Sequence, residues 1–277
     1  MTSPMRGRAQ DMEPVGDPVP AILARYYQAI DGDRFSEAAG AFAPDGRCAV
    51  PAAGVIETAP RAETVGPAAL RARFAERGPS PWRHVVQLCV VAGSQALIEG
   101  VLVDEGGAAT ATFVASARID IDGRIGRYLA FSCPGAREAF PTDVPVEVQP
   151  ADAAQVVHDY FRALDGGRFP EAAAHFSDDV LYSHPPYLHT GIDDPDRVEL
   201  RGRRALEAAF GRRGATSFGH EVLTSVQRGP HCLLEGAVDG LPDGGTGSFI
   251  SSLSLDRDGR IRRYVSFYCE PAVSSAP

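Results

Sequence analysis

Two residue types are missing from the chain: it contains no lysine and no asparagine, and all 27 of its basic residues are arginine. Without lysine, the protein cannot form a Schiff base with a carbonyl substrate, and it cannot contain the lysine of a phosphate-binding P-loop. Acidic residues outnumber basic ones, and the formal net charge is -9. This charge repels phosphate backbones and anionic membrane surfaces. We therefore expect neither nucleic acid nor a membrane among the partners.

Cysteine and long apolar runs are also scarce. The five cysteines are an odd number, lie far apart and form no Cys-x-x-Cys pair, and no signal-peptide core precedes them. No apolar stretch approaches the roughly 18 residues that a membrane span needs. These observations predict a reduced protein that is located in the cytoplasm and has no transmembrane segment.

An internal repeat is the most informative feature of the sequence. The segment 26–35, YYQAIDGDRF, recurs as YFRALDGGRF at 160–169, which is 134 residues later. From residue 69 onwards the correspondence continues at a spacing of 136 residues, so that His84 corresponds to His220. The chain is therefore predicted to contain two copies of one fold in tandem.

Composition marks the boundaries of the two copies. We predict a disordered tail over residues 1–19, a first domain over 20–140, an extended linker over 141–150 and a second domain over 151–273. The tail and the linker are rich in proline and lack apolar periodicity. Because the linker is short, we expect the two domains to pack as an intramolecular pseudo-dimer, and a further homodimer stays open.

Hydrophobic periodicity predicts the same order of elements in both copies: two helices, a strand, a third helix and four further strands. In the second copy, helices are predicted at 151–164, 169–176 and 202–213, and the first strand at 180–185. The expected fold class is α+β, with about three helices covering one face of a curved antiparallel sheet in each domain.

Four segments of the second copy carry a family signature: YFRALDGGRF at 160–169, FSDDVLYSHP at 176–185, GRRAL at 202–206 and HEV at 220–222. Together with their counterparts in the first copy, they resemble the NTF2-like superfamily, specifically its SnoaL-like and ketosteroid-isomerase-like members. The resemblance implies two tandem cone-shaped domains. Because this fold hosts isomerases, aldol cyclases, epoxide hydrolases, dehydratases and non-catalytic binders, it does not by itself select a reaction.

The resemblance also implies which residues face each other across the second cone. In the isomerase-like members, a tyrosine on the first helix faces a general base near the end of the first strand. Tyr160 matches this tyrosine, and His184 stands at the position of the base. The second oxyanion donor of the family falls near Ser251.

Strand periodicity, independently of the family, places Val180, Tyr182 and His184 on one face of the first strand. A neutral imidazole suits a general base at physiological pH, so His184 is our first candidate for removing a proton next to a carbonyl. Alternatively, His184 caps the strand and bonds to a loop. In the first copy, Cys48 and Val50 stand at the positions of Tyr182 and His184, which predicts a degenerate first pocket.

His220 lies on the more apolar, inward face of the next strand. Counting back from the hairpin turn around residues 228–231 pairs His220 with Asp239, which would orient the imidazole. Because the first copy has Val103 at the position of Asp239, this dyad would belong to the second domain only. The recurrence of His220 as His84 leaves a purely structural hydrogen bond as the alternative.

The remaining candidates for contacts with a substrate are Tyr182, Tyr187, Ser251, Glu235 and Phe210. Glu235 recurs as Glu99, and it is either a pocket acid or a solvated residue on the outer face of the sheet. Three arginines lie just before and at the start of the third helix, and they either bind an acidic substrate group or form surface ion pairs. They are Arg201, Arg203 and Arg204.

Histidines and carboxylates also lie close together in the segment from His184 to Asp194, with His189 and Asp193 between them. Such residues can ligate zinc or iron, but their spacing matches no metal template. No dinucleotide fingerprint is present. We therefore predict neither a metal nor another cofactor.

These observations predict a cofactor-independent cyclase or isomerase that uses acid/base catalysis on a hydrophobic, carbonyl-bearing intermediate of secondary metabolism. His184 would be the base and Tyr160 the donor to the developing oxyanion, while Tyr182 and His220 would shape or polarise the pocket. The alternative is a non-catalytic small-molecule-binding or scaffold protein, which the degenerate first copy favours.

Overall fold

The computed structural model describes residues 15–50, 63–137, 151–186, 196–242, 244–270 and 272. These residues fall into two compact units, one within residues 15–137 and the other within 151–272. Within the described ranges, each unit contains three helices and one sheet, so the predicted pair of tandem α+β domains is confirmed.

The first domain begins with a short strand and ends with four long ones. Its helices are α1 (Ala21–Asp31), α2 (Phe35–Gly40) and α3 (Pro67–Arg77). Its strands are β1 (Val15–Gly16), β2 (Phe42–Ala49), β3 (Glu63–Val65), β4 (Trp82–Ala92), β5 (Gln95–Asp104), β6 (Ala109–Ile119) and β7 (Ile125–Pro134). They form one sheet in the order β1-β4-β5-β6-β7-β2-β3.

The second domain repeats this arrangement without the short first strand. Its helices are α4 (Ala153–Asp165), α5 (Phe169–Ala174) and α6 (Arg203–Arg213). Its strands are β8 (Phe176–His184), β9 (Val198–Arg201), β10 (Gly219–Arg228), β11 (His231–Asp239), β12 (Thr246–Leu255) and β13 (Ile261–Cys269). The sheet order is β10-β11-β12-β13-β8-β9.

The first helix of the second domain shows how the sequence positions the site. Asp152 caps α4 by accepting hydrogen bonds from two backbone N–H groups of the first turn, at 3.0 and 3.2 Å. The buried side chains form an apolar stripe along the helix and include Tyr160, which is only 1% exposed. The helix ends at Asp165, and the chain then turns at Gly167, whose φ of 68° suits glycine.

Two features of the sheets differ from the prediction. Each sheet is mixed rather than antiparallel, because β2 pairs parallel with β7 and β8 pairs parallel with β13. Hairpins between consecutive strands leave a turn signal in the sequence, whereas pairing between the first and the last long strand of a copy leaves none. The strands β3 and β9 were also not predicted, since each has four residues or fewer and a half-exposed, polar sequence.

Residues 15–19 are folded, although we assigned them to the disordered tail. Val15 in β1 lies opposite Leu88 in β4, and the carboxylate of Asp17 accepts a hydrogen bond from the backbone N–H of Val91 at 2.9 Å. Val19 packs against the core of the first domain. The predicted tail is therefore too long at its C-terminal end. Its remainder, and the predicted linker over 141–150, lie outside the described residues.

All five cysteines are buried thiols. Burial raises the pKa of Cys48, Cys89 and Cys232 to about 12, because the thiolate would lose its hydration. These side chains consequently pack as small apolar groups at neutral pH. None of the helices in the described ranges combines the length and the apolar character that crossing a bilayer requires.

Candidate functional site

A cavity of the second domain lies between its helices and one face of its sheet. It encloses about 620 Å³ of empty space, part of which is open to solvent. Its lining is mainly aromatic and apolar, with a few polar groups, which is typical of a site for a small molecule. The lining residues are Tyr160, Phe161, Leu164, Tyr182, His184, Pro186, Arg213, Phe218, His220, Val238, Leu241, Phe249, Tyr264, Ser266 and Tyr268.

Four of the residues selected from the sequence line this cavity, namely Tyr160, Tyr182, His184 and His220. Two others, Phe210 and Ser251, are fully buried and do not belong to the lining. Tyr187 lies outside the described residues. The structure therefore brings four of the predicted site residues together in one cavity.

Glu235 is neither a pocket acid nor a solvated residue. It alternates along β11 with Leu234, which belongs to the core beside the cavity, so its side chain lies on the opposite face of the strand. It is nevertheless only 4% exposed, and its counterpart Glu99 is fully buried. Both alternatives that we considered for Glu235 are therefore wrong.

Asp165, the last residue of α4, holds His220 through two hydrogen bonds. One carboxylate oxygen accepts from the backbone N–H of His220 at 2.9 Å, and the other lies 2.8 Å from Nδ1 of the ring. Because an ionised carboxylate only accepts hydrogen bonds, Nδ1 carries the proton and Nε2 is the basic nitrogen of the neutral ring. The ring also stacks on Phe161, with the ring centroids 4.5 Å apart and the planes at 7°.

The predicted dyad of His220 and Asp239 is wrong because the register of the hairpin shifts. A β-bulge at residues 222–224 inserts one extra residue into β10. As a result, Val238 lies opposite His220, and the exposed Asp239 lies opposite Gly219. The hairpin turn itself is where we predicted it, so the error arises entirely from the bulge.

The first domain contains the same histidine and aspartate pair. Nδ1 of His84 lies 2.6 Å from the carboxylate of Asp31, which also accepts from the backbone N–H of His84 at 2.8 Å. The ring of His84 stacks on Tyr27 at 4.9 Å. The prediction of a dyad in the second domain only is therefore wrong. The signal that we missed was the Asp-Gly pair that ends the first helix in both copies.

His184, at the end of β8, lies parallel to Tyr182, with ring centroids 5.8 Å apart. Its Nδ1–H donates to the backbone carbonyl of Pro185 at 2.7 Å. Burial lowers the pKa of His184 to about 3, and nearby positive groups, including Arg197 and Arg213, act in the same direction, while the Pro185 carbonyl opposes them. His184 is therefore a neutral and weakly basic ring at neutral pH.

A chain of three hydroxyl groups supports one wall of the cavity. The Tyr264 hydroxyl lies 2.9 Å from Oγ of Ser251, and Ser251 donates to Oγ of Ser266 at 3.0 Å. Tyr264 and Ser266 line the cavity, while Ser251 lies behind them. With Tyr264 donating to Ser251, the hydroxyl proton of Ser266 is left for an oxygen atom of a ligand.

Arg213, the last residue of α6, was missed by the sequence reasoning. It lines the cavity, is only 5% exposed, and places its guanidinium carbon 5.4 Å from the centroid of Phe218. An arginine in the last turn of a helix is ordinarily explained by the helix dipole, so the sequence gave no reason to select it. Arg203, which we did consider, instead forms an ion pair with the exposed Asp178.

The segment that suggested a metal site lies mostly outside the described residues. Of the residues that suggested it, only His184 falls within the described ranges, whereas His189, Asp193 and Asp194 do not. In the part of the chain that is described, no group of three or more histidine, cysteine or acidic side chains could hold a metal ion.

The comparisons with known proteins concern each domain separately. A family model described as SnoaL-like domain matches the chain twice, at residues 23–128 and 157–264. A putative ketosteroid isomerase from Kribbella flavida is 21% identical, with a TM-score of 0.34, and the match covers 45% of this chain and 82% of that chain. A search of curated proteins gave no significant match.

Two further solved structures are similar at the level of one domain. A putative polyketide cyclase from Sinorhizobium meliloti is 23% identical with a TM-score of 0.32, covering 40% of this chain and 94% of that chain. A protein with a ketosteroid isomerase-like fold from Catenulispora acidiphila, in complex with trimethylamine, is 16% identical with a TM-score of 0.33, covering 41% and 85%. Since the family model matches in both halves, the chain belongs to the SnoaL-like domain family and contains two such domains in tandem.

Proposed function

We propose that the cavity of the second domain binds a hydrophobic, carbonyl-bearing small molecule and catalyses proton transfer next to its carbonyl group. The observation that carries this proposal is that His220, oriented by Asp165, lines a cavity whose walls are mainly aromatic and apolar. An imidazole that is fixed by a carboxylate through Nδ1 presents Nε2 as a general base and stabilises the imidazolium that forms. The mechanism requires no cofactor.

In the proposed reaction, Nε2 of His220 takes a proton from the carbon next to the carbonyl. The electron pair of the broken C–H bond moves towards the carbonyl oxygen and forms an enolate. Hydrogen bonds from Ser266 and from Tyr160, the donor selected from the sequence, support this oxygen. If the substrate also has a C=C bond next to the deprotonated carbon, the enolate is a dienolate, and the imidazolium returns its proton to the far carbon of that bond. The double bond moves into conjugation with the carbonyl, which gives an isomerase. In a cyclase, the enolate carbon instead attacks a second carbonyl of the same molecule, whose oxygen takes the proton.

His220 replaces His184, our first candidate from the sequence, as the proposed base. The pKa of His184 is about 3, which is far below the operating pH at which a general base is most effective. His184 also lacks a carboxylate at Nδ1, where it meets the Pro185 carbonyl instead. In this proposal, His184 is an uncharged polar group in the wall of the cavity, next to Tyr182.

Deuterium exchange into 2-tetralone in D₂O, followed by NMR, tests the proposal. In His220→Asn, the amide keeps a donor for Asp165 near the position of Nδ1 but has no basic nitrogen. We expect the protein-dependent exchange rate to fall by about 10²–10⁴-fold, the usual effect of losing a positioned base. The matched variant His84→Asn makes the same change in the first domain and should keep the wild-type rate.

Two outcomes would contradict the assignment. An equal loss of exchange in His220→Asn and His84→Asn would show that the second domain has no special role in the reaction. Binding of 2-tetralone by the wild-type protein without any acceleration of exchange would instead support a non-catalytic binding protein. That second function is favoured by the recurrence of the pair as His84 and Asp31, which gives the pair a structural explanation.

Several wider expectations remain proposals. They are a substrate from secondary metabolism, a location in the cytoplasm, the domain boundaries given above with residues 15–19 added to the first domain, and the packing of the two domains as a pseudo-dimer. Light scattering on the intact chain, coupled to size-exclusion chromatography, tests whether a further homodimer forms.

A further inference from the structure

Arg213 lies at the wall of the second cavity, and part of its guanidinium is buried without a partner among the described residues. Its Nη2 donates to Oγ1 of Thr216 at 3.4 Å, while its Nη1 is buried and has no hydrogen-bond partner within the described ranges. Removing a guanidinium from water is costly unless a negative charge or several hydrogen bonds replace the lost hydration. The C-terminal dipole of α6 offsets only a fraction of one charge.

No carboxylate belongs to the described lining of this cavity. Two carboxylates behind the lining already bond to lining residues: both oxygens of Asp165 engage His220, and Glu270 accepts a hydrogen bond from the Tyr268 hydroxyl. A second arginine, Arg197, lies behind the wall, where its guanidinium hydrogen-bonds Ser183 and the backbone carbonyl of Ser266, and Ser183 in turn donates to the carboxylate of Glu199. The low pKa of His184, which these arginines help to depress, is consistent with a positive potential at this wall.

Arg213 and the proposed base line the same cavity and share one neighbour. The ring centroid of Phe218 lies 5.4 Å from the guanidinium carbon of Arg213 and 6.1 Å from the ring centroid of His220. A single ligand in this cavity can therefore contact both Arg213 and the imidazole of His220. The remaining walls are aromatic and apolar, so they suit the body of a hydrophobic molecule.

We infer that the ligand of the second cavity is a hydrophobic carboxylic acid whose carboxylate pairs with Arg213. This inference rests on the proposed function and narrows its substrate class from carbonyl compounds in general to those that also carry a carboxylate. A guanidinium matches a carboxylate in shape and charge and forms charge-assisted hydrogen bonds with it. The ligand then supplies the negative charge that the described cavity lining does not.

The test compares two probes of the same shape that differ in charge, 2-naphthoate and 2-naphthamide, by isothermal titration calorimetry at neutral pH. We expect the wild-type protein to bind the carboxylate at least about tenfold more tightly than the amide. In Arg213→Gln, the affinity for 2-naphthoate should fall by about 10- to 100-fold while that for 2-naphthamide stays the same. The amide thus reports whether the cavity of the variant is intact.

The matched control is Arg77→Gln in the first domain. Arg77 ends α3 as Arg213 ends α6, and it also has buried nitrogens without hydrogen-bond partners in the described part of the chain. It is more exposed than Arg213 and does not line the cavity. We expect this variant to bind both probes as the wild-type protein does. Arg213→Met, which keeps the apolar stem, serves as a second variant of the site.

The inference is overturned if the wild-type protein does not prefer 2-naphthoate, or if the preference survives in Arg213→Gln or Arg213→Met. A loss of the preference in Arg77→Gln would overturn it as well. Exchange of 2-tetralone, which has no acid group, reports on the proposed function separately. If the protein accelerates exchange of 2-tetralone but does not prefer 2-naphthoate, only the carboxylate site is refuted. If it prefers 2-naphthoate but does not accelerate exchange, only the proposed reaction is refuted.

Discussion

The two domains share their histidine and aspartate pair but connect their buried hydroxyl groups differently. In the first domain, the hydroxyls of Tyr27 and Tyr128 lie 3.1 Å apart and bond to each other. Burial raises the pKa of both tyrosines, so both stay protonated. In the second domain, Phe161 replaces Tyr27, and Tyr264, the counterpart of Tyr128, bonds to Ser251 instead.

The different hydrogen-bond partners of Tyr128 and Tyr264 determine whether a hydroxyl chain leads to a cavity wall. The pair in the first domain is closed on itself, whereas the chain through Ser251 leads to Ser266 at the cavity wall. The counterpart of Ser266 in the first domain is Ala130, which has no hydroxyl. Both copies therefore keep the contact between the first helix and the sheet, while the hydroxyl groups beside it are connected differently.

The two domains also differ at the end of their first long strand, where only the second has polar aromatic side chains. Tyr182 and His184 in the second domain correspond to Cys48 and Val50 in the first. The thiol of Cys48 is buried, and its pKa of about 12 keeps it uncharged. The prediction of a degenerate first pocket rests on these replacements, and the variants below test whether the two domains differ in function.

The largest effect is expected from the carboxylate that orients the proposed base. Asp165→Asn still accepts the backbone hydrogen bond of His220, but its amide can favour the wrong tautomer of the ring. We expect the 2-tetralone exchange rate to fall by about 10²–10⁴-fold, as for loss of the base itself. The matched Asp31→Asn should leave exchange unchanged, and an equal loss from both variants would contradict the contrast.

An intermediate effect on acid stability is expected at His184. Because its pKa is about 3 in the folded protein against an ordinary 6.5, the unfolded chain binds a proton more readily below pH 6.5. The resulting stabilisation of the fold is present above this pH and is lost as the pH falls towards about 3. Between about pH 6 and about pH 4, protonation of His184 should lower the unfolding free energy of the wild-type protein by about 2 kcal/mol. His184→Val, which has the residue found at this position in the first domain, should lack this loss.

Urea unfolding of the wild-type protein and the variant over this range measures the difference. The control is His158→Gln, because His158 has an exposed side chain on α4 and its replacement should keep the wild-type pH dependence. Parallel pH profiles for the wild-type protein and His184→Val would show that burial of His184 has no such consequence.

The smallest effect concerns the two hydroxyl networks. Tyr27→Phe removes the hydrogen-bond partner of the Tyr128 hydroxyl, and Ser251→Ala removes the hydrogen bond between Tyr264 and Ser251. Each variant should lower the unfolding free energy by about 1 kcal/mol, the typical net contribution of one hydrogen bond. Adding Ala115→Ser to Tyr27→Phe copies the pattern of the second domain, because Ala115 corresponds to Ser251, and should recover part of the loss. No recovery in this double variant would mean that the two networks are not interchangeable.

Local signals in the sequence were sufficient for much of the fold. The helix α3 begins at Pro67 and ends at Arg77 as predicted, because proline starts it and Gly78 follows it. The alternation along β8 correctly placed Tyr182 and His184 on the face that lines the cavity. The repeat itself predicted that both domains would have the same order of helices and long strands, and they do.

The remaining features depend on contacts between distant residues. The bulge at residues 222–224 leaves no signal in composition or periodicity, yet it moved Asp239 away from His220. The contact that His220 makes instead joins it to a residue 55 positions earlier in the chain. Arg213 is a candidate because it is buried and one of its nitrogens has no hydrogen-bond partner among the described residues, and the sequence shows neither property.

A crystal structure of the intact chain grown with 2-naphthoate tests the central claim most directly, namely that the second domain holds the ligand site. We predict electron density for the ligand among Tyr160, His220 and Phe218, with its carboxylate within hydrogen-bond distance of Arg213. We predict none at the corresponding residues of the first domain. Density in the first domain alone, or a carboxylate turned away from Arg213, would contradict the account.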